Sequence, residues 1–145
     1  MTIVEAARAY IGVPWKHLGR SSRGVDCAGL LILAVKDSEG VDLETPDRYG
    51  RDPFKGALEA YCAKCANLVW SGPKGSCTFG NLKAGDGVVM SPANLPRHLG
   101  IVADDPMYGL SLIHADGTPG VGRVVEHGLN DYYRKMIVSV FRRPV

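Results

Sequence analysis

The stretch Gly24-Val25-Asp26-Cys27-Ala28-Gly29-Leu30-Leu31-Ile32-Leu33-Ala34-Val35, closed by Lys36-Asp37-Ser38-Glu39-Gly40, decides how this chain folds. Asp is a favoured N-cap and Gly a favoured residue just past a helix end, so the pattern predicts a central helix of roughly 12 residues. Apolar residues cover most of its circumference, which requires burial on several sides. Cys27 falls in its first turn.

Upstream, Thr2-Ile3-Val4-Glu5 has the form of a capping box, and Ile3, Ala6, Ala7 and Tyr10 recur at helical spacing. A first helix is predicted from about Ile3 to about Ile11, ending at Gly12-Val13-Pro14. Residues 15–25 are basic and glycine-containing with no sustained period, and read as a loop. Downstream, Asp52-Pro53 should open a third helix by the cap-then-proline pattern, with Phe54, Ala57, Leu58, Tyr61 and Cys65 on its buried face. After Trp70 the chain turns to short β-type runs: Gly87 to Met90, His98 to Ala103, Tyr108 to Ala115, Arg123 to Glu126 and Met136 to Phe141. Gly85-Asp86-Gly87 reads as the turn into the first of these. Helices first and a strand meander afterwards imply an α+β domain, with the central helix lying against an antiparallel sheet.

Composition agrees with one domain spanning 1–145. The chain has 145 residues, 46% hydrophobic and 22% charged, which excludes a disordered polymer. No window approaches the apolar length of a membrane span, so no membrane insertion is expected. A net charge of +2 without a Lys/Arg run gives no ground for nucleic-acid binding. The N-terminus shows no basic start followed by an apolar core, so no signal peptide is expected and the four cysteines should be reduced thiols.

Each thiol is then core filler, metal ligand or nucleophile. A thiol in the first turn of a helix faces free N–H groups and the positive end of the macrodipole, both of which favour the thiolate. Taken alone, Cys27 reads first as a small buried hydrophobe. The histidines bear on that choice. His98 opens one alternating strand and His114 closes another, so neighbouring strands would bring their polar ends together. Gly100 should leave the sheet face open beside His98. A thiol, a histidine and a second polar group that orients it are the layout of an activated nucleophile. His127 reads as a surface or turn residue. Cys62-Ala63-Lys64-Cys65 with Cys77 admits a zinc site, a redox pair or core thiols. A C-x-x-C inside a helix lacks the terminal position that activates a thiol, and no fourth ligand is evident. Neither metal nor cofactor is expected.

The blocks Gly12-Val13-Pro14-Trp15, Gly19-Arg20-Ser21, Gly24 to Leu30, Gly85 to Val89, His98-Leu99-Gly100-Ile101-Val102 and Ile113-His114-Ala115 occur in that order. Together they resemble the NlpC/P60 family of cell-wall cysteine peptidases, over nearly the whole chain. Pro14-Trp15-Lys16-His17 with Gly19-Arg20-Ser21 is most similar to the phage and gene-transfer-agent branch. The resemblance implies a papain-like fold and hydrolysis of peptidoglycan stem peptides, commonly at the γ-D-glutamyl–diaminopimelate bond. By motif position Cys27 matches the nucleophile, His98 the general base and His114 the third polar residue. Trp15 stands where the family has an oxyanion-site tyrosine, and its indole N–H can donate one hydrogen bond but accept none. His17 stands in place of a tryptophan. With Arg20 and Asp26 these complete the expected oxyanion and substrate-binding group, and Lys16, Arg20 and Arg23 suggest a basic rim for stem-peptide carboxylates. The implied partners are the stem peptide and phage tail proteins. Synthesis in the cytoplasm and delivery by a phage-like particle to the cell wall follow from the same reading. Two other functions use the same fold: a thiol amidase or acyltransferase, and a catalytically silent tail-assembly module.

Overall fold

The computed structural model describes residues 1–45, 56–92, 97–107 and 109–144. The Thr2 hydroxyl caps helix α1 (Ile3–Arg8), accepting from the Glu5 N–H at 3.1 Å. The helix stops before Ile11 because the chain is drawn off to the sheet. The Gly12 N–H donates to the Val124 carbonyl and the Val124 N–H returns to the Val13 carbonyl, both at 2.9 Å. Residues 15–25 are more ordered than a loop. They hold a two-residue antiparallel ladder, β1 (Arg20–Ser21) with β2 (Gly24–Val25).

The central helix α2 (Cys27–Glu39) has the predicted ends. Asp26 Oδ1 accepts from the Gly29 N–H at 2.8 Å, and Gly40 closes the helix in the left-handed region at φ +72°. Helix α3 (Ala57–Cys65) follows. The opening expected at Asp52-Pro53 and the side chain of Phe54 lie outside the described residues. Among the described residues its buried face is Leu58, Tyr61, Cys62 and Cys65, so the stripe leaves out the expected Ala57, which is exposed, and takes in Cys62.

Six strands form one antiparallel sheet in the order β3-β8-β4-β5-β6-β7. They are β3 (Asn67–Ser71), β4 (Gly87–Met90), β5 (His98–Asp105), β6 (Gly109–Asp116), β7 (Arg123–Gly128) and β8 (Ile137–Arg142). A short helix α4 (Asp131–Arg134) precedes β8. Tyr108, the expected start of β6, is outside the described residues. β3 is the strand that the sequence reading missed. It lies at the sheet edge, and its Leu68 and Val69 are exposed, so no alternating pattern marks it.

The sheet buries both faces, which is why five successive residues of β5 and of β6 are buried. On one face Leu99, Ile101, Ala103, Ile113 and Ala115 meet Leu30, Leu31, Ala34 and Val35 of α2 and Leu58 of α3. On the other, Val88, Met90, Val102, Leu112 and Val140 meet Cys77, Leu82 and Leu129. One ion pair fastens α1 to the sheet and another pins the turn before β4. Arg8 of α1 forks onto Glu126 of β7 at 2.9 and 3.0 Å, and Glu126 also accepts from the Ser111 hydroxyl at 2.7 Å. Arg142 of β8 grips the buried Asp86 at 2.7 and 2.8 Å in the turn before β4. Among the described residues, no helix is long and apolar enough to cross a membrane.

Candidate active site

Capping, packing and strand register assemble the candidate site. The carboxylate of Asp26 anchors the entrance to α2. Its Oδ1 takes the Gly29 N–H and Nη1 of Arg20, each at 2.8 Å, while Oδ2 takes the Leu18 N–H at 3.0 Å. Arg20 also donates to the Gly19 carbonyl at 2.8 Å. The loop is thereby strapped to the first turn of α2, and the contact is tight: a Cβ on Gly29 would lie 2.1 Å from the Gly19 oxygen. The close backbone approach expected at Gly29 is present.

This arrangement gives two residues of the expected substrate-binding group a part in the scaffold. Asp26 is 3% exposed with both oxygens engaged there. Arg20 is turned inward onto Asp26 rather than outward along a rim. Lys16 and Arg23 remain exposed. Trp15 is half-buried, packs its indole over Gly117, and donates its backbone N–H to the Gly122 carbonyl at 2.9 Å. His17 is half-buried in the same loop.

The half-buried Cys27 thiol lies within hydrogen-bond reach of the backbone N–H groups of Ala28 and Leu99. The second contact brings α2 to the start of β5, where His98 stands. Burial, followed by the neighbouring Asp26 carboxylate, pushes the thiol up to about 11, outweighing those N–H groups and Arg20. The sequence-based expectation of a stabilised thiolate is therefore overturned: desolvation and an adjacent negative charge exceed the effect of the helix terminus.

His98, His114 and His127 form one hydrogen-bonded row across three strands. His98 Nε2 is 2.7 Å from His114 Nδ1, and His114 Nε2 is 2.8 Å from His127 Nε2. The register explains the row. Leu112 pairs with His127 and His114 with Val125, so His114 and His127 are diagonal neighbours on one face. Ile101 pairs with Ile113, and continuing that register sets His98 diagonal to His114 on its other side. Burial drives His98 down to about 4, with Asp116 opposing. Burial, then the two flanking histidines, drives His114 down to about 3. Burial works to raise the Asp116 carboxyl, yet hydrogen bonds from Thr118 and the nearby histidines outweigh it and hold it low. The face beside His98 is not open as expected. A Cβ at Gly100 would meet Leu112 Cδ1 at 2.6 Å and Met90 Cε at 3.2 Å, so those side chains fill the space.

The residue that sequence reasoning missed is His127, read as a surface or turn position. The available signal was its place on the same strand face as Val125, two residues from the position opposite His114. Tyr133 of α4 covers it, with ring centroids 4.3 Å apart. The remaining cysteines are dispersed. Cys62 and Cys65 belong to the helix-side core, and Cys77 is buried on the opposite side of the sheet. No cluster of three or more metal-ligating side chains occurs among the described residues. A separate cavity of about 750 Å³ lies between α3 and strands β3 and β8. Its lining includes Glu59, Arg97 and Ser139 but neither Cys27 nor the histidine row.

No family model and no curated protein matches the chain. A solved structure does: the NlpC/p60 domain of the peptidoglycan hydrolase SagA, at a TM-score of 0.59 and 21% sequence identity. The match covers 97% of this chain and 95% of that one. The α+β fold expected from the sequence, with the Cys-bearing helix packed on an antiparallel sheet, is thus the fold of an NlpC/p60 domain.

Proposed function

We propose that the chain is a cysteine peptidase that hydrolyses peptide bonds in peptidoglycan stem peptides, with Cys27 as nucleophile, His98 as general base and His114 as the residue that orients it. One observation carries the reading: the thiol sits at the N-terminus of α2 within reach of the Leu99 N–H at the start of β5, and the residue before Leu99, His98, is hydrogen-bonded at 2.7 Å to a second histidine. The likeness to the fold of a peptidoglycan hydrolase domain supports the substrate class.

With the thiol at about 11 and His98 at about 4, the resting pair is neutral. Cys27 gives its proton to His98 as sulfur bonds to the carbonyl carbon. The oxyanion meets the Cys27 N–H, with the Trp15 indole as a second donor. His98 then protonates the departing amine, leaving a thioester. Water attacks the thioester carbonyl with His98 taking its proton, and the acid and the free thiol are released. The γ-D-glutamyl–diaminopimelate bond is the expected target, and delivery to the wall by a phage-like particle is the expected setting.

The test is release of free amines from purified diaminopimelate-type and lysine-type peptidoglycan, with products identified by mass spectrometry. Cys27→Ala and Cys27→Ser should lower release by at least about 10³-fold while leaving the circular-dichroism spectrum unchanged. Full activity in Cys27→Ala would falsify the assignment. Transfer of the acyl group to an added amine in place of water would move the reading to an acyltransferase.

A further inference from the structure

We propose that His127 is a positioning residue: its hydrogen bond to the Gly128 carbonyl sets the direction of every proton in the histidine row and leaves Nδ1 of His98 free to accept the thiol proton.

The outer end of the row fixes the first proton. A carbonyl oxygen only accepts, so His127 Nδ1, 3.0 Å from the Gly128 oxygen, carries the proton. A neutral imidazole has one N–H, which makes His127 Nε2 an acceptor. His114 Nε2, at 2.8 Å, must then donate to it, and His114 Nδ1 is left as an acceptor. His98 Nε2, at 2.7 Å, donates in turn. The remaining ring nitrogen of His98, Nδ1, is unprotonated.

This order needs one proton on each inner ring, and the burial of His98 and His114 favours that neutral form. The rings also hold suitable orientations. His114 stands at 74° to His98 and at 90° to His127, and Tyr133 lies against the outer face of His127. A group at position 127 that could only donate would run the row backwards: His114 Nδ1 would donate to His98 Nε2, and the His98 proton would move to Nδ1. The base would then be blocked by its own proton.

The catalytic consequence rests on the function proposed above, but the proton positions do not. Long-range ¹H–¹⁵N correlation spectra of the whole chain at neutral pH report them directly. The expected result is Nε2–H on His98 and His114 and Nδ1–H on His127. Nδ1–H on His98 overturns the proposal, and so does an unchanged pair of inner tautomers in folded His127→Ala. Should that variant fail to fold, the wild-type spectrum still decides.

On diaminopimelate-type peptidoglycan, His127→Ala should lose about 10- to 100-fold in kcat with KM little changed. His127→Gln, whose side-chain carbonyl can accept the same bond, should stay within about threefold of wild type. His127→Lys, a donor only, should fall at least as far as His127→Ala. Equal activity of folded His127→Lys and wild type overturns the proposal. If the wild type releases nothing from peptidoglycan, the proposed function fails and the spectra alone judge this inference.

Discussion

Cys27 and His98 are both uncharged near neutral pH, and that fixes the shape of the expected rate profile. Acidification protonates His98 as the pH falls through about 4, removing the base. Alkalinisation ionises Cys27 as the pH rises through about 11, removing the proton that the leaving amine needs. Turnover on peptidoglycan should therefore be flat from about pH 5 to 10, with limbs near those two values. A bell centred between a low thiol pKa and a high imidazole pKa would show an ion pair instead. Sequence reasoning singled out Cys27, His98 and His114 because each stands at or near an element end inside one of the quoted blocks. It misjudged the thiol's charge because the helix terminus is visible in the sequence, whereas burial and the inward carboxylate of Asp26 are tertiary facts. His127 escaped for a similar reason: its partner is set by β6–β7 register, which one strand alone does not encode.

At the scale of elements, the site depends on how closely the loop of residues 16–25 is fastened to α2. Gly29→Ala drives a methyl group into the Gly19 carbonyl, a backbone atom that cannot swing aside. The variant should lose about 2–3 kcal/mol in urea denaturation, more than a surface glycine-to-alanine change in a helix, which is normally stabilising. Peptidoglycan turnover should fall with it, since Cys27 lies two residues from the clash. The α2 helix was legible because both of its ends carry their own signals, Asp26 and Gly40. The β3 strand was not, because an edge strand with exposed Leu68 and Val69 has no buried face to impose a period. Helix α1 was read too long for a third reason: Gly12 and Val13 satisfy their backbone groups on Val124, and the sequence does not announce that pairing.

For the whole molecule, the histidine row should make stability pH-dependent. The unfolded chain binds protons on His98 and His114 near the ordinary value of 6.5, but the folded chain binds them only near 4 and 3. More protons on the unfolded state means that stability falls as pH falls below about 6.5, steepening towards pH 4. Urea midpoints measured at pH 8, 6, 5 and 4.5 should decline in that order. The decline should be shallower in His114→Asn, which removes one of the two groups. A midpoint independent of pH across this range would mean that the inner histidines are solvated.

The high thiol pKa has a further consequence, for chemical durability. A group ionising at about 11 is, four units lower at pH 7, only about one part in 10⁴ thiolate. Peroxide and disulfides react with the thiolate, so Cys27 is shielded from sulfenylation and mixed-disulfide formation by the same burial that keeps it protonated. Reactivity would then arise only when a carbonyl carbon and His98 engage the sulfur together. Such a residue can remain intact in an oxidising medium, where an ordinary low-pKa catalytic thiol would need a reductant to stay alive.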